Sequence, residues 1–261
     1  MMRAMTIAGT GMAAQELTIE VIANNLANVS TVGFKASSPQ FQDLMYQTYK
    51  LAGTNTGTGI LPVGIQTGSG VSLVAVQRGF GQGDFQQTGN SLDMAIEGDG
   101  FFQLTLPDGS TAYTRAGSFQ LDSQGRIVTA DGYPIIPSLS LPNDTESITI
   151  STTGVISVVE AANPTPKQVG TLELARFTNP AGLNSLGKNL YQVTPASGEA
   201  ITGQPGLQGF GTILQGNLES SNVNIAAQMV NMISAQRAYE LNSKAIQATD
   251  EMYSTVNNLL R

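Results

Sequence analysis

Proline is absent from residues 1–35 and from residues 206–261, and all 11 prolines fall between Pro39 and Pro205. A proline inside a helix removes a main-chain hydrogen bond and clashes with the preceding turn. Long helices are therefore expected at the two ends of this chain, and short elements between them. The first end is periodic. Steps of three and four from Met5 give Met5, Ala8, Met12, Gln15, Ile19, Ile22, Leu26 and Val29, of which only Gln15 is polar. Glu16, Glu20, Asn24 and Asn28 fall off this seam. The pattern is a heptad over about 25 residues, or roughly 40 Å of helix. At the other end, steps of seven from Ile225 give Met232, Tyr239, Ile246, Tyr253 and Leu260, all apolar or aromatic. Ala235 and Val256 lie in a complementary row that Gln228, Asn242 and Thr249 interrupt.

The middle alternates apolar runs with turn signals such as Asp108-Gly109, Ser123-Gln124-Gly125, Asp131-Gly132 and Asn179-Pro180. Strands are expected over 101–106, 118–121, 126–129, 147–151, 154–159, 171–177 and 189–193. The fold class expected is α+β: N- and C-terminal helices forming a coiled-coil core domain, and an antiparallel, all-β middle domain. The boundaries read as an N-terminal helix in 1–35, an extended arm in 36–78, a β-rich domain in 79–218 and a C-terminal helix in 219–261. One reading packs both helices on the β domain. The other pairs them with each other and with neighbouring copies, because a lone two-helix pair buries little surface and Thr6, Gly9, Thr10 and Gly11 weaken the first helix.

Between Lys50 and Arg78 lie 27 residues without a charge. A free linker has no use for Ile60, Leu61, Pro62 and Val63, or for Val71, Leu73, Val74 and Val76. An extended inter-subunit arm that includes Tyr46 and lies on another surface fits this composition, against the alternative of a flexible hinge.

The chemistry open to the chain is narrow. With no Cys, His or Trp, it has no disulfide, no thiolate or imidazole metal site and no Ser-His or Cys-His nucleophile. A net charge of −7 disfavours a nucleic-acid partner. No apolar run reaches the length of a membrane span, and no cleaved signal peptide is expected at the N-terminus. Gly9-Thr10-Gly11-Met12-Ala13-Ala14 matches a dinucleotide loop but lacks its βαβ context and downstream acid, so packing of small residues in a helix seam explains it better. Ser185-Leu186-Gly187-Lys188 matches the acyl-transfer motif without its partners. Asp93, Glu97, Asp99 and Asp122 are the carboxylates available to a hydrolase reading, but Asp99-Gly100 and Asp122-Ser123 are equally good turn residues and the sugar-stacking Trp residues common in such clefts are absent. No cofactor and no metal site is expected.

Four stretches carry a specific likeness. Asn24-Asn25-Leu26-Ala27-Asn28-Val29-Ser30-Thr31-Val32-Gly33-Phe34-Lys35, then Thr88 through Phe102, then Tyr113-Thr114-Arg115-Ala116-Gly117-Ser118-Phe119, and finally Glu219-Ser220-Ser221-Asn222-Val223 with Ala235-Gln236-Arg237-Ala238-Tyr239-Glu240, resemble in order the signatures of bacterial flagellar rod and hook proteins. The length and the stretch around Tyr46–Val63 resemble the distal rod branch; proximal rod or hook components are the alternative within the family, and a periplasmic β-domain hydrolase the alternative outside it. The resemblance implies a non-enzymatic subunit, exported without a cleaved signal, that polymerises into a tubular drive shaft crossing the periplasm. It implies as partners further copies of itself, the proximal rod, the hook, the rod cap and the P- and L-ring proteins. Self-assembly then falls to the N-terminal seam (Met5, Met12, Ile19, Ile22, Leu26, Val29) and the C-terminal seam (Ile225, Met232, Tyr239, Ile246, Tyr253, Leu260). Asn24, Asn25, Asn28, Gly33 and Phe34 are expected to end the first helix, with Gly33 supplying a positive φ. Residues 36–218 carry 7 basic and 13 acidic side chains, while the helical ends are close to neutral, so copies can crowd a common axis with little repulsion.

Overall fold

The computed structural model describes residues 2–53, 62–142, 144–160 and 163–259. Ile60, Leu61 and Leu260 lie outside the described residues. The chain divides into two compact units: unit 1 comprises Met1–Leu26, Ser37–Gln77 and Asn224–Arg261, and unit 2 comprises Ala27–Ala36 and Arg78–Val223.

Unit 1 contains helix α1 (Met2–Ala27), strands β1 (Ser37–Asp43), β2 (Gln47–Lys50), β3 (Ile65–Thr67) and β4 (Val71–Arg78), and helix α2 (Ile225–Leu259). The helices occupy the proline-free ends. Val29, expected on the first helix, lies in the turn beyond it, because α1 stops at Ala27. The 36–78 stretch is more structured than an extended arm: β1 pairs with β4, and β2 pairs antiparallel with β3. Full burial is rare in this unit. Among its described residues only Ala8, Ile22, Asn25, Ala235 and Thr249 are buried.

Unit 2 is built of antiparallel β-strands, with a short 3-10 turn at Pro180–Gly182. Its strands are β5 (Phe85–Gln87), β6 (Met94–Glu97), β7 (Phe101–Thr105), β8 (Thr111–Thr114), β9 (Phe119–Leu121), β10 (Ile127–Thr129), β11 (Thr145–Ile150) and β12 (Val155–Glu160). They continue as β13 (Asn163–Thr171), β14 (Leu174–Arg176), β15 (Asn184–Gly187), β16 (Leu190–Gln192), β17 (Ile201–Gly203), β18 (Thr212–Gln215) and β19 (Asn217–Glu219). Six strands form the main sheet in the order β15-β16-β8-β7-β14-β17, and β11-β12-β13 form a second sheet.

Alternation along β7 explains the core. Phe102 and Leu104 face a large cluster with Met94, Ile96, Phe119, Ile127, Ile156 and Leu172, whereas Phe101 faces a smaller one with Tyr113, Phe177 and Tyr191. The main sheet is therefore covered on both faces, and β7 is buried from Phe101 through Leu104, the polar Gln103 included. Edge-to-face pairs hold the aromatic side, with Tyr113 and Phe177 centroids 4.9 Å apart and Phe80 and Tyr191 5.4 Å apart.

Candidate functional site

The terminal helices supply the first candidate surface. On α1, Ala8 and Ile22 are buried, and Met5, Met12, Ile19 and Leu26 are half-buried. On α2, Met232, Ile246 and Tyr253 are half-buried, while Ile225 and Tyr239 are exposed. The most buried positions of α2 are Ala235 and Thr249, both in the polar-spotted row. Gly11 shows why: a Cβ there would lie 2.9 Å from the Asn242 side-chain nitrogen, so the absence of a side chain lets Asn242 approach α1. Ile22, Thr18 and Gln15 line a hollow together with Gln228, Ala235 and Ala238. A straight helix drifts about 20° per heptad, so a seven-residue ladder cannot stay on one face along all of α2.

The rest of α2 is apolar on its other side as well. Met229, Val230, Ile233 and Leu241 are exposed there, and nearer the end of the helix so are Met252 and Val256, the latter in the same row as Ala235 and Thr249. On the β2–β3 hairpin and its flanks Met45 is 88% exposed and Val63 74%, with Tyr46, Tyr49, Leu51 and Ile65 also exposed. Pro62 is exposed too. Arg3 donates a hydrogen bond to the Tyr49 hydroxyl and lies over that ring, tying the hairpin to the first turn of α1. Of 24 exposed large hydrophobic side chains among the described residues, 19 belong to unit 1.

The helix-end residues do different work from one another. Buried Asn25 reaches past its own helix: its amide nitrogen donates to the Ser37 carbonyl at 2.8 Å and its oxygen accepts from the Ser37 N–H at 2.9 Å. Asn24 is exposed on the helix. Asn28 accepts from the Thr31 hydroxyl at 3.2 Å in the turn that follows. Gly33 has φ +68°, and a Cβ there would meet the Ala116 nitrogen at 2.7 Å. Phe34 is buried beside it.

These residues lead into a buried charged cluster inside unit 2. Lys35 Nζ stands 2.6 Å from Glu219 Oε1 and donates to the Gly81 carbonyl at 2.7 Å. Arg115 Nε lies 3.2 Å from Glu219 Oε2, and its Nη1 donates to the Gly98 and Gly100 carbonyls at 2.8 and 2.7 Å. The Gly83 N–H donates to Glu219 Oε1 at 2.9 Å. Burial pushes the Lys35 and Arg115 pKa values down, with the Glu219 carboxylate opposing the shift in both. Sequence patterning singled out none of these charges as a cluster. The available signal is that Lys35, Arg115 and Glu219 each sit inside one of the signature stretches, in a chain with only 12% charged residues.

Three of the four carboxylates considered for hydrolysis, Asp93, Glu97 and Asp122, are engaged by neighbouring side chains. Asp93 accepts from the Thr88 hydroxyl at 2.6 Å and from Asn90 Nδ2 at 3.1 Å. Asp122 pairs with Arg126 at 2.8 Å, and Glu97 accepts from Thr212 at 3.2 Å. Lys188 of the acyl-transfer match pairs with Asp131 at 3.0 Å in a turn. Among the described residues no helix is long and apolar enough to cross a membrane.

Comparison with known proteins accounts for the signature stretches. The family described as Flagella basal body rod protein matches residues 5–35, Flagellar hook protein FlgE/F/G D1 domain matches 95–158, and Flagellar basal body rod FlgEFG protein C-terminal matches 214–259. The Flagellar basal-body rod protein FlgG of Borreliella burgdorferi is 50% identical over 264 residues, covering 100% of both chains. Its counterpart from Buchnera aphidicola subsp. Schizaphis graminum is 49% identical over 260 residues, covering 99% of this chain and 100% of its own. That from Caulobacter vibrioides is 45% identical over 260 residues, covering 99% of each. The chain thus belongs to the flagellar basal-body rod family, a family of structural and non-enzymatic subunits, and within it is most like the distal rod protein FlgG.

Proposed function

We propose that this chain builds the tubular distal rod by packing its terminal helices, and those of neighbouring copies, into a coiled-coil core around a channel, with the β-rich unit as the outer layer. The observation that carries this reading is the concentration of exposed apolar side chains in unit 1. A helix that is apolar on two opposite sides needs cover on both, and among the described residues Met229, Val230 and Ile233 of α2 are left exposed. Covering Met229, Val230 and Ile233 would remove apolar surface from water at about 25 cal/mol per Å².

Residues 46–63 act as an inter-subunit arm in this reading, since Tyr46, Tyr49 and Val63 are ordered on or beside strands yet face solvent. The mature location is the rod across the periplasm, reached by export without a cleaved signal. Neighbours are the proximal rod, the hook, the rod cap and the P- and L-ring proteins, and the acidic middle of the chain faces the rings. Electron microscopy and sedimentation of full-length Met229→Glu and Ile233→Glu variants test the assembly. Because both side chains are already exposed, the protomer should stay folded while tubes fail to form; normal tubes from both would refute the helical contact.

A further inference from the structure

The chain passes between the two units four times, and three of the passages, after Ala36, before Arg78 and after Val223, are bound together within unit 2 by two side chains. The Asn222 amide accepts from the Ala36 N–H at 2.7 Å and donates to the Gly79 and Gly81 carbonyls at 2.9 and 3.0 Å. Its backbone N–H donates to the Phe34 carbonyl at 3.4 Å. Glu219 holds Lys35, Gly83 and Arg115, and its backbone carbonyl accepts from the Gly33 N–H at 2.8 Å.

We propose that Glu219 and Asn222 form a clasp that closes unit 2 last and opens by itself, without unfolding the β body. Three features support it. First, the partners are 184 residues apart for Lys35–Glu219 and 186 for Ala36–Asn222, farther than the partners of any strand pair, so their closure carries the largest loop entropy and follows the local hairpins. Second, Phe34 and Val223, the buried apolar residues beside the clasp, belong to neither core cluster, so opening it leaves both clusters intact. Third, one half of the lock is preset. Arg115 is fixed by the Gly98 and Gly100 carbonyls of the body and waits for the Glu219 carboxylate. A chain that emerges N-terminus first therefore holds Gly33–Ala36 unlocked until residues 219–223 arrive.

Hydrogen exchange on the full-length chain and its Asn222→Ala variant tests this. The informative amides are Gly33 and Gly83, which are bonded to Glu219 and not to Asn222. In the variant both should exchange at least about tenfold faster, in step, while the β7 and β8 amides keep their rates. Acceleration of β7 and β8 by the same factor, a chain that fails to fold, or a change confined to Ala36 would each overturn a separable clasp. Pulse labelling during refolding of the unmodified chain supplies the second readout. Protection of β7 and β8 should precede that of Gly33 and Gly83; simultaneous or reversed order would overturn late closure.

Discussion

The two units of this chain spend their apolar residues in opposite ways. Unit 2 places Phe102, Leu104, Ile96 and Leu174 at or near zero exposure and pairs even its buried charges. Unit 1 has two helices of 26 and 35 residues and a hairpin, yet its fully buried apolar side chains are Ala8, Ile22 and Ala235 among the described residues. Burial of that extent falls far short of the ordering entropy of two long helices, at about 1–2 kcal/mol per residue for the backbone. A closed core and an open one in a single chain fit the proposed assembly, in which the open unit is completed by association. The low charge of both helical ends permits this completion, because like copies meet without strong repulsion.

That contrast can be broken at its strongest point by Glu219→Leu. Removing the carboxylate leaves Lys35 and Arg115 buried without an anion, which should lower the stability of unit 2 by about 3–5 kcal/mol in denaturant unfolding. A loss below about 1 kcal/mol would mean that the cluster is hydrated and not truly interior. Phe102→Ala should cost a similar or slightly smaller amount, about 3–4 kcal/mol, because the ring is fully buried and stacks edge-on against Phe119 at 5.2 Å. Val230→Glu sharpens the comparison from the other side. It should change protomer stability by about 0.5 kcal/mol or less while abolishing polymerisation, as read by light scattering. Smallest is Gly11→Ala, where better helix propensity, about 1 kcal/mol, opposes displacement of Asn242. Adding Asn242→Ala to Gly11→Ala should turn the change into a net rise in thermal stability, since the obstruction is gone while the propensity gain stays.

Much of the middle domain was legible because hairpins are local. Each of the seven expected strands coincides with an observed one, from β7 at Phe101–Thr105 to β16 at Leu190–Gln192, since alternation and turn residues act over a few positions. Strands β5, β6, β18 and β19 were not legible. Phe85–Gln87 pairs with Asn217–Glu219 and Met94–Glu97 with Thr212–Gln215, and such distant partners leave no periodic trace in either segment. The charge-free stretch was recognisable as ordered from Val71, Leu73, Val74 and Val76, but its pairing with Ser37–Asp43 depends on a strand holding Pro39 and polar residues, which reads as loop.

By itself the sequence determined where long helices can exist, because proline excludes them locally, and which residues alternate toward a core. It also determined the family, through motifs spread along the whole chain. Only the tertiary structure decided that Lys35, Arg115 and Glu219 share one buried site and that Asn242 and Thr249 of the polar row turn inward on α2. The reason is physical: periodicity reports which face a residue occupies on its own element, whereas Coulomb energy, desolvation and close approach depend on distance through space, which chain order does not encode.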